Sequence, residues 1–144
     1  MQDSFKSNLF GLVERIKKLS FKRDDTGVLM AYAQSSKIDS KFRDVAAEIA
    51  ALARLKAAYL CINIIPPGVR VPEHTDALKP YEKVLKFKRY HLPVLTNLDC
   101  KIKDFDGERH MPVGFWTGPI KYWEPHSTWN NGKVERIHVV VDLY

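Results

Sequence analysis

At 144 residues the chain is about one domain's worth, enough to bury a real core. Its 45% hydrophobic and 28% charged residues exclude a disordered or low-complexity protein, and no apolar run reaches the roughly eighteen residues of a membrane-spanning helix. The net charge of +6 draws much of its excess from Lys79, Lys83, Lys86, Lys88 and Arg89, which read either as a solvated loop or as an electropositive approach to an anionic substrate. No nucleic-acid motif accompanies that charge, which argues against nucleic acid as a partner. The opening Met1-Gln2-Asp3-Ser4-Phe5-Lys6 lacks the apolar stretch of a secretory signal, and Cys61 and Cys100 form no CxxC pair. The expectation is a reduced, cytoplasmic protein with two ordinary thiols.

In chain order, Phe5, Leu9, Leu12, Val13, Ile16 and Leu19 recur at three- and four-residue spacing and predict an amphipathic helix from Phe5 to Leu19. Asp24-Asp25-Thr26-Gly27 reads as a turn, with a short apolar run from Val28 to Ala33. A second helix is expected from about Lys41 to Lys56, alanine-rich and capped by Asp39 or Ser40. Beyond Ala57 the pattern turns to strands: Tyr59–Ile65, stopped by Pro66-Pro67-Gly68; Val69–His74; and Tyr90–Leu95, where Pro93 favours an edge or a bulge. Cys100–Phe105 with Asp106-Gly107 suggests a strand and hairpin turn, followed by strands over Gly118–Trp123, Ser127–Trp129 and Val134–Leu143. Seven or eight short strands behind two helices predict a mainly β single domain, a small jelly roll (57–144) supported by a helical front (1–56).

The chemistry concentrates in His74-Thr75-Asp76, His126 and Arg136. Residues two apart on a strand share a face, so His74 and Asp76 can reach one ion, and His126 can supply a third ligand from a distant strand. Two imidazoles and a carboxylate make the triad that leaves half of an octahedral Fe(II) open. Arg136 shares strand parity with His138, Val140 and Asp142, opposite an Ile137/Val139/Val141 core face. A guanidinium inside a barrel needs an anion: either Asp142 or Glu135, or a bound carboxylate gripped by its fork. A dicarboxylate such as 2-oxoglutarate fits the second case. His91 shares the parity of Arg89, His110 is expected in a loop, and His138 suits either a hydrogen-bonded core position or a supporting one. Trp116, Tyr122, Trp123 and Trp129 are candidates for the pocket wall or for plain core.

Three blocks resemble the aspartyl/asparaginyl β-hydroxylase family of Fe(II)/2-oxoglutarate oxygenases. They are Pro67-Gly68 leading to His74 and Asp76; Arg89-Tyr90-His91-Leu92; and His126-Ser127-Thr128-Trp129-Asn130 leading to Arg136-Ile137-His138-Val139-Val140-Val141-Asp142. The resemblance spans roughly Tyr59 to Leu143. It implies a cupin-like double-stranded β-helix, iron at His74, Asp76 and His126, and 2-oxoglutarate held by Arg136. By position, Asn63 is implied as a polar contact to the cosubstrate, and Arg89 and His91 as contacts to cosubstrate or substrate. The implied reaction consumes O₂ and 2-oxoglutarate, yields succinate and CO₂, and hydroxylates an amino-acid side chain, free or in a peptide. Two other readings stand beside it. One is a cupin-like metal or ligand-binding domain without hydroxylase activity, and the other is a basic interaction protein whose histidines are incidental.

Overall fold

The computed structural model describes residues 11–32, 43–45, 47, 57–76 and 88–143. Among them run ten strands: β1 (Lys22–Arg23), β2 (Leu29–Tyr32), β3 (Ala57–Ile65), β4 (Arg70–His74), β5 (Lys88–Leu95), β6 (Cys100–Asp104), β7 (Gly107–Arg109), β8 (Thr117–Ile120), β9 (His126–Asn130) and β10 (Arg136–Leu143). They form two antiparallel sheets, a six-stranded one ordered β1-β2-β3-β10-β5-β8 and a four-stranded one ordered β4-β9-β6-β7. None of the described helices is long and apolar enough to cross a membrane.

The last strand of the chain, β10, lies inside the larger sheet between β3 and β5. Alternation sends its side chains to opposite faces. Ile137, Val139 and Val141 join Leu60, Ile62 and Ile64 of β3 and Leu92 and Val94 of β5 in one buried cluster. Leu12, Val13, Ile16 and Leu19 complete that cluster from the helical residues 11–16 and the turn after them. Each such side chain contributes on the order of 1.5–3 kcal/mol when fully buried. The opposite face turns toward the smaller sheet and carries Arg136, His138 and Asp142, all buried. Between the sheets the apolar packing is thin, with Ile102, Met111 and Ile120 forming a separate small cluster.

Several strands differ from the sequence expectation. The apolar run Val28–Ala33 yields β2, which pairs with β3 through Leu29↔Ile64 and Ala31↔Ile62. The strand expected over Gly118–Trp123 stops at Ile120, since residues 121–124 turn and Glu124 N–H donates to Lys121 O at 3.0 Å. The final strand starts at Arg136 rather than Val134, whose carbonyl accepts side-chain bonds from Asn97 and Asn130. Pro93 lies on an internal strand and sits at a register shift, where His138 pairs with Pro93 and Ile137 with Leu95. A bulge tolerates the missing N–H. Of the two expected helices, residues 1–10 and most of 41–56 fall outside the described residues, as does the basic stretch from 77 to 87.

Candidate metal centre and anion pocket

The β4–β9 ladder sets His74 directly opposite His126, so two residues far apart in the chain become cross-strand neighbours. Their ring centroids lie 4.4 Å apart, tilted by 55°. Each ring is pinned from behind: His74 Nδ1 lies 2.8 Å from Pro72 O, and His126 Nδ1 lies 2.8 Å from Glu124 O. A carbonyl only accepts, so both Nδ1 atoms donate backward and both Nε2 atoms are turned toward Asp76. Such backbone anchoring sets tautomer and ring orientation for metal ligation. His74 Nε2 is 3.4 Å from Asp76 Oδ1, and His126 Nε2 is 3.7 Å from Oδ2. One ligand atom from each of the three residues lies within 4.8 Å of the others, at half-buried positions.

Strand alternation does not place Asp76, because β4 ends at His74. Its backbone N–H donates to Tyr122 O at 2.9 Å. Its Oδ2 accepts from Arg89 Nη1 at 2.9 Å. Arg89 in turn grips Asp142 through Nε and Nη2, both at 2.8 Å, and stacks 4.2 Å over the Tyr122 ring. Burial alone would depress the Arg89 guanidinium, but its hydrogen bond to Asp142 and the charges of Asp142 and Asp76 raise it above its usual value. What reading the sequence misses is that Asp142 and Tyr122 both engage Arg89. Their parity and aromatic character were visible, but their partnership with Arg89 depends on the β5–β10 register Arg89↔Asp142.

Arg136 has a different environment. It is 5% exposed, and among the described residues neither of the acids that could have met it does so: Asp142 holds Arg89, and Glu135 meets Lys17 at 3.3 Å. Its Nε donates to His138 Nε2 at 2.9 Å. Burial lowers its pKa to about 10. Arg136 Nη2 lies against the other ring nitrogen, His138 Nδ1, which is also 3.0 Å from His91 Nδ1. Burial first, then the charge of Arg136, holds both imidazoles well below their ordinary pKa, so both are neutral. The charges of Arg89 and His126 act on His91 in the same direction.

A small, solvent-open depression adjoins Arg136 and His138, with Thr96, Lys101, Met111 and Thr128 on its walls. Two buried polar atoms, Asn63 Oδ1 on β3 and Thr96 Oγ1 just after β5, have no hydrogen-bond partner among the described residues. Asn63 pairs in register with His138, so it sits on the interior face. Native interiors leave few polar atoms unsatisfied, and such an atom is an opening for a polar ligand. Asn130 is the reverse case: fully buried, it donates to Ile65 O and Val134 O and accepts from Gly132 N–H. It ties the end of β9 to the ends of β3 and the following loop, a structural clamp. Of the aromatic candidates for the pocket wall, Tyr122 stacks against Arg89 and the three tryptophans pack elsewhere. Trp116 lies against the helix-side core, Trp129 is buried under Arg70, and Trp123 is exposed. His110 follows β7 and bonds Cys100 O through Nδ1 at 3.0 Å. Both cysteines are buried and free, and burial pushes the Cys61 thiol up to about 12.

Comparison with solved structures identifies the fold. A prolyl-4-hydroxylase from Pseudomonas putida superposes with TM-score 0.55 at 13% identity, covering 99% of this chain and 86% of that one. The viral collagen prolyl hydroxylase of Paramecium Bursaria Chlorella virus-1, solved as a 2OG complex, gives TM-score 0.56 at 10% identity, covering 100% and 92%. A predicted oxalate decarboxylase from Thermotoga maritima gives 0.55 at 17% identity, covering 88% and 94%. The architecture is therefore the cupin-like jelly roll. No curated protein matches the chain in sequence. The family model for aspartyl/asparaginyl beta-hydroxylases matches residues 19–144, and the chain belongs to that hydroxylase family.

Proposed function

We propose that this protein is an Fe(II)/2-oxoglutarate-dependent dioxygenase that hydroxylates an amino-acid side chain, free or within a peptide. The observation that carries the reading is a buried guanidinium with no acid partner among the described residues, in the same sheet interior as an imidazole–carboxylate–imidazole cluster. Interior charge supports it. Arg89 cancels Asp142, Asp76 offsets half the charge of a divalent ion, and Arg136 adds one more, so a dianion restores neutrality.

In this reading His74, Asp76 and His126 hold the iron, whose bound form supplies the activation of O₂ coupled to loss of CO₂ from the cosubstrate. Arg136 takes the far carboxylate of 2-oxoglutarate in its fork. His138, neutral and locked by Arg136, keeps that fork in one orientation. His91 and Asn63 offer polar contacts along the path between Arg136 and the triad. Arg89 has committed three of its five N–H groups to Asp142 and Asp76, which leaves two for cosubstrate or substrate. Two buried free thiols fit a reducing compartment such as the cytoplasm.

Anaerobic titration with Fe(II) and then 2-oxoglutarate tests the proposal through the weak visible charge-transfer band of the ternary complex. Arg136→Ala should weaken 2-oxoglutarate more than 100-fold, a loss of about 3 kcal/mol from an unpaired buried carboxylate, with iron affinity little changed. Asp76→Ala should weaken iron first. No band and no protein-dependent succinate would overturn the assignment in favour of a metal-binding domain without hydroxylase activity.

A further inference from the structure

Resting on the metal centre just proposed, we infer that Arg89 is a positioning residue for the metal carboxylate: Asp142 holds Arg89, and Arg89 holds Asp76 Oδ2 so that Oδ1 alone is presented to the ion. Three observations lead there. Asp76 lies beyond the end of β4, where the ladder no longer fixes its side chain. Its two oxygens have different neighbours: Oδ1 is 3.4 Å from His74 Nε2, while Oδ2 is 2.9 Å from Arg89 Nη1 and only 3.7 Å from His126 Nε2. Behind Arg89, the directly paired Asp142 engages Nε and Nη2 together, and its side chain is only 3% exposed.

The larger sheet thus reaches across the interior and fixes a loop carboxylate belonging to the smaller one. A forked, planar cation can join two carboxylates at fixed separation, whereas an ammonium on a flexible stem cannot. Oδ2 is engaged by a charged N–H, which discourages it from swinging onto the ion beside Oδ1. A carboxylate bound through one oxygen leaves a coordination position free that a two-oxygen grip would occupy, and the proposed reaction needs that position open. Partners of this kind typically change metal affinity by about 10–100-fold when removed.

The test is a Co(II) titration of the apoprotein without cosubstrate, following the d–d absorption, on wild type, Arg89→Lys, and the double variant Arg89→Met with Asp142→Leu. Arg89→Lys keeps a charge beside buried Asp142 and removes only the fork. The double variant replaces the ion pair by apolar groups of similar size, a change that buried pairs often tolerate. Far-UV circular dichroism establishes that each variant is folded. The expected result is Co(II) affinity about 10–100-fold weaker in both variants, with a weaker d–d band as the second oxygen joins the ion and coordination rises. Wild-type affinity in either folded variant overturns the inference, as does an affinity loss that keeps the wild-type band. Wild-type protein that takes up no Co(II) overturns the metal centre itself, a result distinct from either of these.

Discussion

The two faces of the six-stranded sheet are built from the same strands by opposite rules. On the helix side, Ile137, Val139 and Val141 meet Leu12, Ile16, Ile62 and Leu92 in an apolar core with near-zero exposure. On the inner side the alternate residues of the same strands are Arg136, His138 and Asp142 of β10, Asn63 and Cys61 of β3, and Arg89 and His91 of β5. One face stabilises the fold. The other carries the buried Arg136, the ion pair of half-buried Arg89 with Asp142, two imidazoles held neutral and an amide oxygen without a partner among the described residues, an arrangement that stabilises the fold less than an apolar core would unless a ligand completes it. Concentrating the apolar burial on one side lets the other depart from ordinary core chemistry.

Substitutions on the two faces should accordingly change stability in opposite directions. The largest effect belongs to the helix side: Ile137→Ala, at a position with 0% exposure, should lower stability by about 3–4 kcal/mol in urea denaturation, from lost burial plus the cavity left behind. A loss below about 1 kcal/mol would mean that this face is not the stabilising one.

Acidification probes the inner face. His91 and His138 are held neutral in the folded state by burial and by Arg136, so below a pH of about 6.5 the unfolded chain binds protons that the folded one refuses. Stability should therefore be insensitive to these two groups above that pH and fall below it, by up to about 1.4 kcal/mol per pH unit for each histidine. His138→Gln should remove about half of that slope, read from denaturation at stepped pH. A slope unchanged by the substitution would show that His138 is not one of the groups responsible.

The smallest effect carries the opposite sign. Arg136→Leu should raise the stability of the apoprotein by about 1 kcal/mol, since a buried cation with no acid partner among the described residues is replaced by an apolar side chain while His138 loses a donor. The same variant should lose the rise in melting temperature that 2-oxoglutarate gives the metal-loaded wild type. If Arg136→Leu destabilises the apoprotein as Ile137→Ala does, the contrast between the faces fails.

Much of this division was legible along the chain. The parity of Arg136, His138 and Asp142 against Ile137, Val139 and Val141 is a local property of an extended strand, and it places both faces of β10 correctly. The bulge at Pro93 follows from its missing N–H in the same way. Less accessible were the elements whose identity depends on what covers them. Leu29–Tyr32 becomes a strand because β3 offers a free edge, and Trp116 joins the helix-side core rather than the pocket. Asn130, grouped by motif with the metal and cosubstrate residues, is instead fully occupied in clamping backbone.

The sequence by itself determined the kinds of group available and the face each would take within its own strand, because side-chain alternation is set by covalent geometry two residues at a time. It brought His74, Asp76, His126 and Arg136 into consideration as one set. Only the tertiary structure decided who meets whom: His74 opposite His126, Arg89 between Asp142 and Asp76, and Arg136 with neither Asp142 nor Glu135. Those pairings depend on register between strands separated by up to 53 residues. Register is settled by the packing of both faces together, which no local periodicity contains.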